Sequence, residues 1–453
     1  MDPQTYDVIV IGAGGSGLAA AVRAAEGGAR VLVLEKEPEP GGTTAMAVGS
    51  FTAAQTRWQH KQGVEDSAAA HAEDAAKFAP PELEARNNGP LRDAFLAEAA
   101  ETLTWLADMG VAFHGPSPEP PNRAPRMHNV IPAARAYILT LQARLRRLGG
   151  ELRCSARATA LIREDGRVAG VRAVLQGQEA SFHARRGVVL AAGDYAGAPD
   201  LIARFKGDRY ANIEGINTRA NGDGHRLAES AGAQLTNMDV TYGPELRFVP
   251  NEKKTLLDRL PADGPVRRLM SWAAPLAPKA LMDRIIKAQL VAWQHPEDSL
   301  LKDGAILVNQ RGARFCNEHA SPERELAIAE QPDRVCYLLL DKRLAERYSQ
   351  WPHFVSTAPE IAYAYVDDYL RLRPDVSARG DTLEHVATAR GLDPAVLHGA
   401  VDAFNAYACS TQADAFGRTG DTAPLEPGPW VLLGPAKAYF TITEGSPAIS
   451  TRY

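Results

Sequence analysis

The chain has 453 residues, 45% of them apolar and 23% charged, and its 50 Lys and Arg against 55 Asp and Glu give a formal net charge of −5. That length supports a large core and two or three lobes, whereas the slight acidity and 7% aromatic content exclude the basic, aromatic-lined surface of a nucleic-acid binder. No apolar run approaches the roughly 18 residues of a membrane span, the start Met1–Asp7 lacks a signal-peptide pattern, and the cysteines at 154, 316, 336 and 409 are too scattered for a metal knuckle or disulfide framework, so a cytoplasmic enzyme with no metal site is expected.

The first element is the apolar run Tyr6–Ile11, which suits a strand buried on both faces of a parallel sheet. Gly12-Ala13-Gly14-Gly15-Ser16-Gly17 follows, then an alanine-rich helix from Leu18 to Glu26 closed by Gly27-Gly28. A second buried strand covers Ala29–Glu35. In this strand–turn–helix–strand setting Gly12 makes the tight turn, Gly14 lets a pyrophosphate approach the backbone and Gly17 packs helix against strand. Glu35 lies 35 − 17 = 18 residues beyond the last glycine, where a carboxylate can accept hydrogen bonds from ribose hydroxyls. The unit reads as an α/β dinucleotide-binding fold. Helical spacing follows at 91–109 (Leu91, Phe95, Leu103, Leu106) and at 132–148. Asp165-Gly166 marks a hairpin turn between arms 151–164 and 167–175, and Gly187–Gly193 is a third buried strand. From about 240 to 440 helices alternate with Pro-rich joints, which reads as a second, inserted lobe.

After Glu35-Lys36 the chain runs into Gly41-Gly42-Thr43-Thr44 and Ala47-Val48-Gly49-Ser50. Further on come Trp105–Val111, Val189–Tyr195, Asn221-Gly222-Asp223-Gly224 and Ile306–Glu318. In these motifs and their order the sequence resembles the fumarate reductase and succinate dehydrogenase flavoprotein family, which includes 3-ketosteroid dehydrogenases and urocanate reductases. The resemblance implies an α/β fold: a Rossmann-like FAD-binding domain (1–240), an inserted α+β capping domain (241–440) and the start of a return to the first domain (441–453). It implies FAD as cofactor. Gly12, Gly14, Gly15, Ser16 and Gly17 would form the pyrophosphate loop, with Ser16 approaching the phosphates and Glu35 the adenosine ribose. Thr43, Thr44, Gly49 and Ser50 would line the flavin side, Ala158 would offer its backbone to the adenine, Gly193 would allow close approach and Asp223 would bond the ribityl or ring region. Lys36, Gly42 and Ala192 complete the implied binding set. Some members attach the flavin through a histidine near this loop; residues Gly41–Phe51 contain none and His60 lies well beyond, so FAD bound without a covalent link is expected.

The family moves two hydrogens across a carbon–carbon bond beside a carbonyl or carboxylate, with a side chain handling one proton. The small-molecule substrate would carry such an activated bond, and the electron partner is left open. Three family positions depart here. Pro322 stands where a proton-donating arginine is expected, with Arg324 two residues on. Pro244 stands near the place of a histidine, and Ala292–Pro296 replaces a Thr-Glu pair. These departures disfavour a dicarboxylate and favour a less charged ketone or enone. Arg324 and Tyr242 are the candidate catalytic residues, against a solvated charge run for Glu323-Arg324-Glu325 and a lobe-interface role for Tyr242. Arg314 is expected to orient its motif, and His128 to sit in a loop. Two other readings stay open: a nicotinamide-dependent dehydrogenase, and a flavin-poor member that binds a ligand or partner without turnover. The second reading draws on the C-terminus, where only Ser446–Tyr453 follow Gly445 and no second glycine-rich turn appears, an arrangement expected to leave the flavin-ring side open.

Overall fold

The first apolar run forms strand β1 (Gln4–Ile11), whose alternate side chains enter two different cores. The structure, a computed structural model, describes residues 4–251, 287, 288, 290, 291, 295–358, 362–409, 412–420 and 422–450. Helix α1 (Gly15–Glu26) follows, and then strand β2 (Val31–Leu34), all four residues of which are buried. Val10, Val31 and Val33 pack with Leu18, Ala21 and Val22 of α1 and with Ile138, Leu141 and Leu145 of the Arg135–Arg147 helix. Ile9, Ile11, Leu32 and Leu34 face the opposite side, against Val171 and Phe182. Burial on both faces explains why these strands read as continuous apolar runs.

The sheet has six strands in the order Glu151–Arg153, β2, β1, Gln178–Leu190, Arg167–Leu175, Ala156–Glu164. The pairings among the first four are parallel, and the last three strands form an antiparallel meander. The Asp-Gly turn is where the sequence puts it, with Asp165 at φ +48° and Gly166 at φ +76°, both in the left-handed region that a two-residue hairpin loop requires. The first hairpin arm divides in two: Arg153 pairs with β2 and the meander begins at Ala156. The backbone of Glu35 makes the division by donating to the Arg153 carbonyl and accepting from Ala156 N–H.

The Gly89–Asp108 helix buries Leu96, Ala99, Leu103 and Leu106, while Phe95 is two-thirds exposed. The apolar stripe is therefore displaced by one residue from the spacing that starts at Leu91 and Phe95, because Leu96 and not Phe95 shares a face with Leu103. This helix belongs to an excursion between β2 and the Arg135–Arg147 helix that includes a small sheet of Ser50–Thr52, Met127–Ile131 and Ala112–Ser117. Arg126 ties the excursion together. Its fully buried guanidinium donates to both oxygens of Asp66 at 2.7 and 2.8 Å, to Asp74 at 2.7 Å and to Asn122 at 2.8 Å.

Beyond Tyr242 the parallel pattern gives way, as expected, to a mainly antiparallel sheet. Its central strand, Trp430–Phe440, pairs antiparallel with Glu245–Phe248, Cys336–Leu340 and Ser377–Gly380, and parallel with the two-residue strand Glu214–Gly215. The outgoing strand Thr241–Tyr242 and the returning Ile442–Thr443 pair with each other, as do Leu235–Thr236 and Ser446–Pro447. No helix among the described residues is long and apolar enough to cross a membrane.

Removing Arg126 leaves the buried Asp66 carboxylate without a counter-charge, while Asp74 keeps Lys77 at 2.6 Å and Arg123 at 2.9 Å. Arg126→Ala should lower unfolding free energy by about 3–5 kcal/mol, read from the urea midpoint; a loss below about 1 kcal/mol would place the network among surface-like ion pairs.

Candidate cofactor site

The loop between β1 and α1 is built by backbone contacts that exclude side chains. Gly12 has φ +103°, and a Cβ there would lie 2.3 Å from the Ala191 carbonyl oxygen; a Cβ on Gly17 would lie 2.0 Å from the Gly12 carbonyl oxygen. These two glycines allow strand, helix and the Ala191 segment to touch. Gly14 is different: the nearest protein atom to a Cβ there is 3.9 Å away, so its face is open. The amides of Ser16 and Gly17 precede the first helical bond, Leu18 N–H to the Gly14 carbonyl, and are free donors at the positive end of α1 among the described residues. Gly15 N–H is taken by the Thr44 hydroxyl oxygen at 3.1 Å.

The loop opens onto a cavity of about 820 Å³. Gly12, Gly14, Gly15, Ser16, Glu35, Lys36, Gly42, Thr43, Thr44, Ala158, Ala192, Gly193 and Asp223 all line it. Glu35 is buried, with one carboxylate oxygen accepting Ala13 N–H at 2.7 Å and the other Glu37 N–H at 2.9 Å. Each oxygen keeps acceptor capacity for a hydroxyl. Thr44 lies on helix α2 (Gly42–Met46) with Thr43, whose hydroxyl accepts from Asn217 Nδ2 at 2.9 Å; both hydroxyl protons remain available to donate. An open glycine, two free amides at a helix start, the exposed Ser16 and a buried carboxylate aimed at hydroxyls suit a pyrophosphate-linked ribose.

Asp223 is at the Glu35 end of the cavity. Lys36 Nζ meets one of its oxygens at 2.7 Å and Arg157 the other at 2.8 Å. Burial works against the charge, yet these two cations hold the Asp223 carboxyl below the usual range. Asp223 therefore lines the cavity as the centre of a salt-bridge cluster with Lys36 and Arg157. Gly17, Gly49 and Ser50 are outside the cavity wall. Gly17 is buried as the packing glycine of α1. Gly49 has φ +95°, its Cβ position filled by Val130 and its carbonyl bonded by the Tyr137 hydroxyl. Ser50 is exposed and donates to Asn129. These two positions support the small sheet.

Neither catalytic candidate lines this cavity. Arg324 neither lines the cavity nor sits in a solvated run. It is 6% exposed, bonded to Glu325 at 2.7 Å and to the Glu318 carbonyl at 2.9 Å, and paired with Asp298 at 3.0 Å. Burial disfavours its charge, but Glu325 and Asp298 outweigh that and raise its pKa, the wrong direction for a proton donor. Tyr242 is 50% exposed on the crossing ribbon and off the cavity wall. Burial of its hydroxyl and neighbouring Glu245 raise its pKa, which opposes a phenolate base. Arg314 does hold its motif, through Glu318 at 2.9 Å and Asp414 at 2.7 Å. His128 belongs to a strand rather than a loop and its Nε2 is 3.0 Å from the Thr56 hydroxyl. Of the 292–296 segment, residues 292–294 lie outside the described residues.

Several wall residues carry no motif that reveals them in advance. Asp194, Asn217, Arg219 and Tyr439 line the cavity from segments far apart in sequence. Asp194 alone had a signal, since it lies within the Val189–Tyr195 motif.

A parallel sheet with this loop, helix start and acid defines a dinucleotide-binding flavoprotein fold. The sequence matches the FAD binding domain family over residues 7–432, and the chain belongs to that family. It is 25% identical over 434 residues to an NADH:fumarate oxidoreductase of Klebsiella pneumoniae, covering 94% of this chain and 40% of that protein. It is 25% identical over 455 residues to a probable fumarate reductase of Shewanella frigidimarina, covering 99% of this chain and 66% of that one. The chain thus spans less than two thirds of the length of these curated relatives. Its fold is similar to the open conformation of a flavocytochrome c3 fumarate reductase, with a TM-score of 0.71 at 24% identity over 99% of this chain and 70% of that one.

The glycine geometry separates folding from binding. Gly17→Ala should fold poorly, because its Cβ meets backbone. Gly14→Ala should keep its melting temperature within about 2 °C yet bind FAD at least about tenfold more weakly, roughly 1.4 kcal/mol, by flavin fluorescence titration. Unchanged FAD affinity in Gly14→Ala would remove the open glycine from the phosphate path.

Proposed function

We propose that this chain binds FAD without a covalent link and serves an oxidoreductase that adds or removes two hydrogens across a carbon–carbon bond next to a carbonyl. The observation that carries the reading is the cavity itself, whose open Gly14 face, free α1 amides and Glu35 carboxylate match the needs of a flavin dinucleotide in a chain of the FAD binding domain family. The flavin supplies the two-electron chemistry. The chain's residues hold it: the Gly12–Gly17 loop and Ser16 at the pyrophosphate, Glu35 at the ribose, Ala158 beside the base, and Thr43 and Thr44 toward the ring. Lys36 and Arg157 act indirectly, by keeping Asp223 neutralised against the wall.

The reading divides the chain at the paired crossing strands, into residues 1–240, an inserted lobe at 241–440 and the return from 441. All four cysteines are free thiols, which suits a reducing cytoplasm. The substrate is a ketone or enone of low charge. Although the relatives are named for fumarate, Pro322 here caps the Glu323–Ala329 helix and Arg324 is locked in ion pairs, so no guanidinium is presented to a dicarboxylate from this segment. That lock also favours a second reading, a chain that binds its flavin or ligand without turnover.

Purified protein should show absorbance bands near roughly 370 and 450 nm, as bound flavin does, and acid precipitation should leave the colour in the supernatant. Colour retained in the pellet would establish a covalent link, and a colourless protein that takes up no added FAD would overturn the reading. With a reduced viologen as donor, fumarate turnover should stay below about 1 per second; faster turnover would show that another group has assumed the acid role.

A further inference from the structure

Of the six carboxylates on the cavity wall, four meet a cation. Glu37 meets Arg219 at 3.3 Å, Glu39 meets Arg135 at 3.4 Å, Glu214 meets Lys437 at 3.0 Å and Asp223 meets Lys36 and Arg157. Glu35 has no cation but two backbone amides. Asp194 has neither arrangement among the described residues: one oxygen accepts Ala196 N–H at 2.8 Å, and the other has no protein donor. Its place is fixed by backbone. Ala191, three residues earlier, presses against Gly12 and Gly17 of the phosphate loop, the Asp194 carbonyl accepts Gly222 N–H, and Tyr195 N–H is held by the Thr443 hydroxyl. The free oxygen thus stands on the wall of a cavity whose nearby loop is built for a pyrophosphate.

We propose that Asp194 is a cofactor-binding residue that accepts a proton when the anionic flavin dinucleotide enters, and then presents a hydroxyl donor where the empty cavity presents a carboxylate. The inference rests on the FAD reading above. The charged groups around Asp194 support it. Glu444 on the returning ribbon repels its charge; on the following helix Asp223 is already paired and His225 bonds the Gly445 carbonyl at 2.8 Å. Asp239 is engaged by Arg86 at 2.6 Å. Burial first, and Glu444 second, push the Asp194 carboxyl up to about 6 against the pull of Ala196 N–H. Below that pH the group is neutral and accepts an anion beside it; above it, ligand binding must draw a proton from solvent. A dianion beside the carboxyl raises its pKa further, so affinity falls as pH rises through the unliganded value.

The test is FAD titration of the full chain by fluorescence and calorimetry. Between pH 5.5 and 7.5 the dissociation constant should rise about 25-fold, as proton uptake per flavin climbs toward one. At pH 7.5, calorimetry in two buffers of different ionisation enthalpy should report close to one proton absorbed. Asp194→Asn should bind FAD more tightly than the parent at pH 7.5, with a flat pH profile and no proton uptake. If that variant fails to fold, the buffer comparison on the parent still decides. Flavin binding without proton uptake, or an Asp194→Asn profile that parallels the parent, would overturn the role of Asp194 alone. No flavin binding by either protein at any pH would overturn the FAD reading with it.

Discussion

Glu35 holds the cavity together, because three segments that wall it have their common tie at this residue. Its carboxylate bridges the amide of Ala13, in the loop after β1, to that of Glu37, in the loop after β2. Its backbone joins both parts of the divided hairpin arm, Arg153 and Ala156. Hydrogen bonds to a charged group contribute about 1.5–3 kcal/mol each, so a single residue, through its carboxylate and its backbone, fixes the spacing between phosphate loop, ribose end and base end. The same carboxylate is the acceptor offered to the ribose. Stability of the empty fold and affinity for the nucleotide are therefore drawn from one group, and a change at Glu35 acts on both.

Electrostatics extend this arrangement around the cavity. The wall carries both signs, and most of its charges meet across segment boundaries. Arg219 reaches Glu37 and Asn217 reaches Thr43, so the turn after Gly215 touches the loop after β2 and helix α2. Lys36, in that same loop, and Arg157, on the Ala156–Glu164 strand, close on Asp223 in the same manner. These pairs are partly exposed and individually weak. Their effect is to set where net charge is left over: among the described wall carboxylates Glu35, held by two amides, and Asp194, held by one, meet no cation.

The parts of this fold that were legible in the sequence are those governed by local backbone rules. Asp165-Gly166 adopts the left-handed pair that its composition calls for, and Gly12 and Gly17 stand where a Cβ would strike a carbonyl. The apolar runs 6–11 and 31–34 are buried on both faces as their lack of alternation implies. What failed depends on tertiary partners. The Glu323-Arg324-Glu325 run reads as solvated, but Arg324 is buried because Glu325, Asp298 and the Glu318 carbonyl satisfy it, and nothing in a local charge pattern foretells such a set. Phe95 shows that helical spacing fixes a stripe only to within one residue until its neighbours are known. Asn217 and Arg219 belong to a turn without periodicity or motif, so only the folded chain brings them to the wall.

The paired crossing strands have a consequence in polymer terms. The outgoing Thr241–Tyr242 and returning Ile442–Thr443 lie side by side, so the long excursion between them leaves and re-enters within one strand spacing, about 5 Å. Closing a flexible loop costs entropy that grows only with the logarithm of its length, about 0.6 kcal/mol for each doubling. With both ends clamped by one ribbon, the excursion can lengthen or shorten with little penalty to the parallel sheet. Its size is therefore not set by the sheet it leaves.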